Sequence, residues 1–97
     1  MSMSDTPALE NFLSAYFHQD WTLEHDTAEG VVDAYLGGEA DAEIAAVRGD
    51  LARIAAEGLD EAALGARLQA LGSEYDPTRD GGSWQGWLAA LQAAFAR

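Results

Sequence analysis

The chain contains no cysteine and no lysine, and its first 47 residues contain no arginine either. Without cysteine there is no disulfide framework, no thiolate metal site and no thiol nucleophile, a composition that suits a reducing compartment. Without lysine, Schiff-base chemistry and a phosphate-loop lysine are excluded. Five arginines against seventeen acids cannot line a backbone-binding patch for DNA or RNA. No apolar run approaches the ~18 residues a membrane span needs, and the opening MSMSDTPALE has neither a basic segment nor a long apolar one. A cytoplasmic protein that engages neither nucleic acid nor membrane is expected.

What the first 47 residues do hold is ten carboxylates: Asp5, Glu10, Asp20, Glu24, Asp26, Glu29, Asp33, Glu39, Asp41 and Glu43. Unpaired carboxylates are almost never fully buried, so this half presents a field of one sign that attracts a basic partner. The formal net charge of −12 opposes compaction, and stability should improve with salt. Hydrophobic residues at 48% nevertheless provide for a core, and 97 residues suffice for one domain with one core, expected over 1–97 as a monomer.

Five amphipathic segments punctuate the chain. Thr6 and Pro7 open the first, where Leu9, Phe12, Leu13, Tyr16 and Phe17 follow one helical face to an end near His18. Thr27 caps the second, with Ala28, Val31, Val32, Tyr35 and Leu36 in the same spacing and Gly37-Gly38 as the stop. Asp41 opens the third and longest, with Ile44, Val47, Leu51 and Ile54 inward, and Gly58 closes it. Asp60 caps the fourth, through Leu64, Leu68 and Leu71 to Gly72. Residues 73–82 read as a loop from their Asp-Pro and Asp-Gly dipeptides, and Ser83 caps a last helix burying Trp84 or Trp87, Leu88, Leu91 and Phe95. No segment alternates with a period of two, so the expected fold is an all-α bundle of about five short helices.

Chemistry-bearing constellations are few. His18, Asp20, His25 and Asp26 lie close together, but their spacing matches no zinc pattern. His18, Gln19 and Asp20 are better read as satisfying the polar end of the first helix. In the loop, Asp76, Asp80 and Gly81 fit three places of a calcium loop, yet Thr78 is a weak third ligand and Trp87 stands where a bidentate carboxylate is required. The serines lack a nucleophile-elbow context. The reading is therefore no enzyme, no metal and no cofactor. Phe12, Tyr16, Tyr35, Trp87 and Phe95 are assigned to the core, whereas Trp21, Tyr75 and Trp84, at helix ends or in loops, are candidates for a binding surface.

The run Phe12-Leu-Ser-Ala-Tyr16-Phe17-His18-Gln19-Asp20-Trp21, then Val31-Val32-Asp33-Ala-Tyr35-Leu36, resembles the opening of the contact-dependent growth inhibition immunity proteins. Tyr75-Asp76-Pro77, Gly82-Ser83 and Trp87-Leu88 resemble that family's closing segment. The resemblance implies a small cytoplasmic protein that binds and neutralises the C-terminal toxin domain of a neighbouring cell's exoprotein. Many such toxins are nucleases, whose substrate grooves must be basic. The residues expected at the interface are the acids Glu24, Asp26, Glu29 and Asp33, with Trp21 and Tyr75 as aromatic anchors and Asp76 beside the latter. The alternative is an acidic regulatory or adaptor module on another basic protein. A third class, a small metal-dependent enzyme using His18 and His25, is the one that elemental analysis would remove.

Overall fold

Three of the five helix starts are closed by the side chain of the N-cap itself. The computed structural model describes residues 5–17 and 27–96. Helix α1 (Pro7–Tyr16) begins with proline at its first position, where a missing N–H costs nothing. It buries Leu9, Phe12 and Leu13 on one face and closes as the Phe17 N–H donates to the Leu13 carbonyl. Helix α2 (Ala28–Gly38) starts at Thr27, whose Oγ1 accepts from the Gly30 N–H at 3.0 Å. Helix α3 (Asp41–Ala56) turns Val47, Leu51 and Ile54 inward and stops before Gly58, which takes φ +65°.

Helix α4 (Glu61–Ala70) is capped by Asp60, accepting from the Ala63 N–H at 2.8 Å, and is followed by Gly72 at φ +109°. The loop expected after it contains a 3-10 turn over Pro77–Asp80, ended by Gly81 at φ +82°. Helix α5 (Trp84–Phe95) then starts at Ser83, whose Oγ accepts from the Gly86 N–H at 2.9 Å. These five α-helices, with no strand among the described residues, make the expected all-α bundle.

Helix α5 is the centre of the packing. It touches α2, α3, α4 and the 3-10 turn, and buries Trp84, Trp87, Leu88, Leu91 and Phe95; α3 in turn packs on α1. The core joins these apolar faces through stacked rings. Phe12 lies 5.7 Å from Phe17, 4.5 Å from Tyr35 and 5.5 Å from Phe95, centroid to centroid.

Helix ends are also held across the fold by charges. The Leu9 N–H in the first turn of α1 donates to Asp50 Oδ2 of α3 at 3.0 Å, while the Thr6 side chain makes no cap bond. Glu61 of α4 accepts from the Trp84 N–H at 2.6 Å and the Gln85 N–H at 3.0 Å, closing the start of α5. At the other end of α5 the Arg48 Nε–H donates to the Phe95 carbonyl at 2.5 Å. Every sign is right for the helix dipole, anions at the N-termini and a cation at the C-terminus.

Two expectations are corrected. Trp84 is not exposed: it retains 6% of its surface and lies across α4 at Gly65, where an added Cβ would come within 2.6 Å of the indole Nε1. The first position of a helix at the edge of a loop suggested a surface residue, but the missing side chain at Gly65 makes a slot for the ring. The Gly37-Gly38 pair does not stop α2, since neither glycine has a positive φ. The helix runs through both and ends at the extended Glu39, whose N–H donates to the Tyr35 carbonyl at 3.0 Å. The first helix closes at Tyr16, while the end-capping roles expected for His18, Gln19 and Asp20, and the His18, Asp20, His25, Asp26 cluster, lie outside the described residues.

The two kinds of helical glycine give a paired prediction. Gly49 is exposed, with nothing within 4 Å of an added Cβ, so Gly49→Ala should stabilise the protein by about 1 kcal/mol through helix propensity alone. Gly65→Ala should destabilise it, because the same propensity gain is outweighed by the ~1–3 kcal/mol of overpacking against Trp84. Thermal melts of the two variants, moving in opposite directions from the parent, check both.

Candidate protein-binding surface

Helix α2 carries two of the expected contact residues. Glu29 sits in its first turn and Asp33 one turn later, both exposed and so on neighbouring positions of one face, while Val31, Val32 and Tyr35 point into the core. Trp21, Glu24 and Asp26 lie outside the described residues.

Tyr75 and Asp76 are placed at the opposite end of the sequence, before the 3-10 turn. Tyr75 is half-buried, its ring 5.8 Å from Phe17 and 5.1 Å from Trp87. With Pro77, Gly81, Gly82, Ser83, Gly86 and Trp87 it lines a shallow groove of about 430 Å³. Asp76 is engaged in its own turn. Its Oδ1 accepts from the Thr78 N–H at 2.9 Å and the Thr78 hydroxyl at 2.5 Å, and its Oδ2 faces Arg79 Nε at 4.0 Å. The hydrogen bond from the Thr78 hydroxyl holds the Asp76 carboxyl below the usual carboxylate range, with Arg79 adding to the effect. The geometry is that of an Asp-capped turn, not of a calcium loop.

Among the described residues no arginine pairs with Asp5, Glu10, Glu29, Glu39, Asp41 or Glu43. Among the described residues the two ion pairs are Arg67–Glu57 at 3.3 Å and Arg79–Asp76, both using carboxylates beyond residue 47. Arg48 is committed to the end of α5. Asp5, Glu10, Glu29, Asp33 and Asp41 are exposed, and Glu39 and Glu43 are half-buried. The negative field expected from the sequence therefore persists in the folded chain.

One cluster was not anticipated. Where α1 ends against the α2–α3 corner, the Tyr16 hydroxyl donates to Glu39 Oε1 at 3.1 Å, and the Tyr16 and Tyr35 rings meet edge to face at 5.0 Å. Tyr35 is buried, and its hydroxyl makes no hydrogen bond among the described residues. Burial pushes its pKa up to about 12, and the Glu43 and Glu39 carboxylates push in the same direction. Burial likewise raises that of Tyr16, with the hydrogen bond to Glu39 adding to it. Both tyrosines had the spacing of core residues, which hid that their polar ends converge on two acids. No spacing signals this, since the helix breaks at the extended Glu39 and Glu43 belongs to the next one.

Among the described residues no group of three His, Asp or Glu could hold a metal ion, and no helix is long and apolar enough to cross a membrane.

The sequence model of a family described as CdiI immunity protein matches residues 5–95. In structure, the chain is similar to one in the crystal structure of a CdiA-CT/CdiI complex from Y. kristensenii, with a TM-score of 0.87 and 22% identity over 95% of this chain and 99% of that one. At that identity the likeness speaks to the fold. No curated protein matches the chain in sequence.

Proposed function

Because the chain belongs to the CdiI immunity protein family, we propose that it binds and neutralises the C-terminal toxin domain of a contact-dependent growth inhibition exoprotein in the cytoplasm of the cell that makes it. The observation that carries this reading is the family match over residues 5–95, joined to the exposure of Asp5, Glu10, Glu29 and Asp41, none of which pairs with an arginine among the described residues. The Y. kristensenii chain comes from a complex of CdiI with CdiA-CT, and the same pairing supplies the partner here.

Inhibition is electrostatic and steric and involves no catalysis by this chain. A nuclease is the toxin class that the charge favours, since a groove that holds phosphates is basic and an acidic helical face fills it. Glu29 and Asp33, with Trp21, Glu24 and Asp26 preceding them in sequence, form one part of the proposed contact surface. Tyr75, beside its groove, and Asp76 form another.

The test is a titration of the purified chain with the toxin domain encoded beside its gene. A one-to-one complex of nanomolar or better affinity, burying roughly 1,600 Å² in total, is expected. Its association rate should fall steeply between low and physiological salt while dissociation changes little. No binding to that domain refutes the reading, and salt-independent association refutes its electrostatic part.

A further inference from the structure

The corner where α1 meets the α2–α3 turn gathers groups that the fold alone leaves unsatisfied. Glu39 is half-buried and receives one hydrogen bond, from Tyr16. Glu43, half-buried in the first turn of α3, has no side-chain partner among the described residues, and neither has the buried Tyr35 hydroxyl. Two partly desolvated carboxylates and a buried phenol without a hydrogen bond make an unfavourable arrangement for an isolated domain, because polar groups taken out of water are nearly always paired. Among the described residues no arginine pairs with Glu39 or Glu43.

Resting on the function proposed above, we infer that Tyr16, Tyr35, Glu39 and Glu43 form a receptor for a cationic side chain of the toxin, an arginine. A guanidinium brings five donors in a planar fork, enough to address both carboxylates and the Tyr16 phenol oxygen together, and its plane stacks on the face of that half-exposed ring. Lysine, with a compact and strongly hydrated ammonium, fits this spread of acceptors less well. None of its four residues is among Trp21, Glu24, Asp26, Glu29, Asp33, Tyr75 and Asp76, and it makes its own demand on the partner. The elevated tyrosine pKa values accord with it, since both phenols remain neutral and able to donate to a carboxylate at any physiological pH.

The experiment compares the full chain with Glu39→Gln/Glu43→Gln, Glu43→Gln and Tyr35→Phe. Each is titrated calorimetrically with the co-encoded toxin domain and melted alone. The double variant should raise Kd about tenfold or more, chiefly through faster dissociation. Glu43→Gln breaks no bond in the free chain and should give a weaker complex at an unchanged melting temperature. Tyr35→Phe should leave the free chain as stable as before or more so, yet weaken the complex, a combination that a structural role does not produce. Wild-type Kd in the double variant and in Glu43→Gln overturns the receptor while leaving the immunity function standing. Wild-type Kd in Tyr35→Phe alone removes the hydroxyl from it. If the unaltered chain itself fails to bind the toxin domain, the function falls and the receptor with it.

Discussion

Replacing Glu24, Asp26, Glu29 and Asp33 together by lysine slows association with the toxin domain by about 10- to 1000-fold at low ionic strength, the range over which charge steering acts. Four changes from −1 to +1 carry the formal net charge from −12 to −4. Glu29 and Asp33 are exposed on α2, away from the core face of Val31, Val32 and Tyr35, so the substitutions at these two positions need not disturb packing. Stopped-flow association over a salt series reads the effect. The parent rate should fall as salt rises, and the reversed variant should show a shallow or inverted dependence. A helical circular dichroism spectrum equal to the parent's is required for the comparison. Unchanged association in a folded variant would move the steering charge to other acids, such as Asp5, Glu10 and Asp41.

Phe12→Ala is expected to be the most damaging single change to stability. Phe12 is fully buried and its ring meets Tyr16, Phe17, Tyr35 and Phe95, so one side chain joins α1, α2 and α5. Truncating a buried phenylalanine costs about 3–5 kcal/mol, as transfer energy lost and cavity left behind. A domain of this size has roughly 5–15 kcal/mol in all, and its uncompensated negative charge subtracts from that. At about 4–8 °C per kcal/mol, the melting temperature should fall by more than ~12 °C. Phe12→Leu, which keeps most of the volume, should recover a large part of the loss. A melt within a few degrees of the parent for Phe12→Ala would show that the aromatic cluster is not the keystone of the core.

Which features could be read from the sequence follows the range of the interaction that makes them. Thr27, Ser83 and Asp60 cap helices through atoms three residues away, and all three were legible. Gly58 and Gly72 were legible as stops because their left-handed conformation suits glycine alone. The Asp50, Glu61 and Arg48 caps reach across 41, 23 and 47 residues, and nothing local distinguishes these side chains from solvated charge. Trp84 was misplaced for the same reason, since its burial depends on Gly65 in a different helix. For the candidate surface, the excess of acids in the first half was plain, and so was the family resemblance. The Tyr16–Glu39 meeting was not, because it needs the α2–α3 corner to fold back onto the end of α1.

Among the described residues, the carboxylates seen to hold helix ends or turns, Asp50, Asp60, Glu61 and Asp76, come from the second half of the chain. Among the described residues, the exposed Asp5, Glu10, Glu29 and Asp41 hold none of these joints. On the function proposed above, a lineage facing a changed adversary could exchange Asp5, Glu10, Glu29 or Asp41 one at a time with little penalty in folding while the framework stays put.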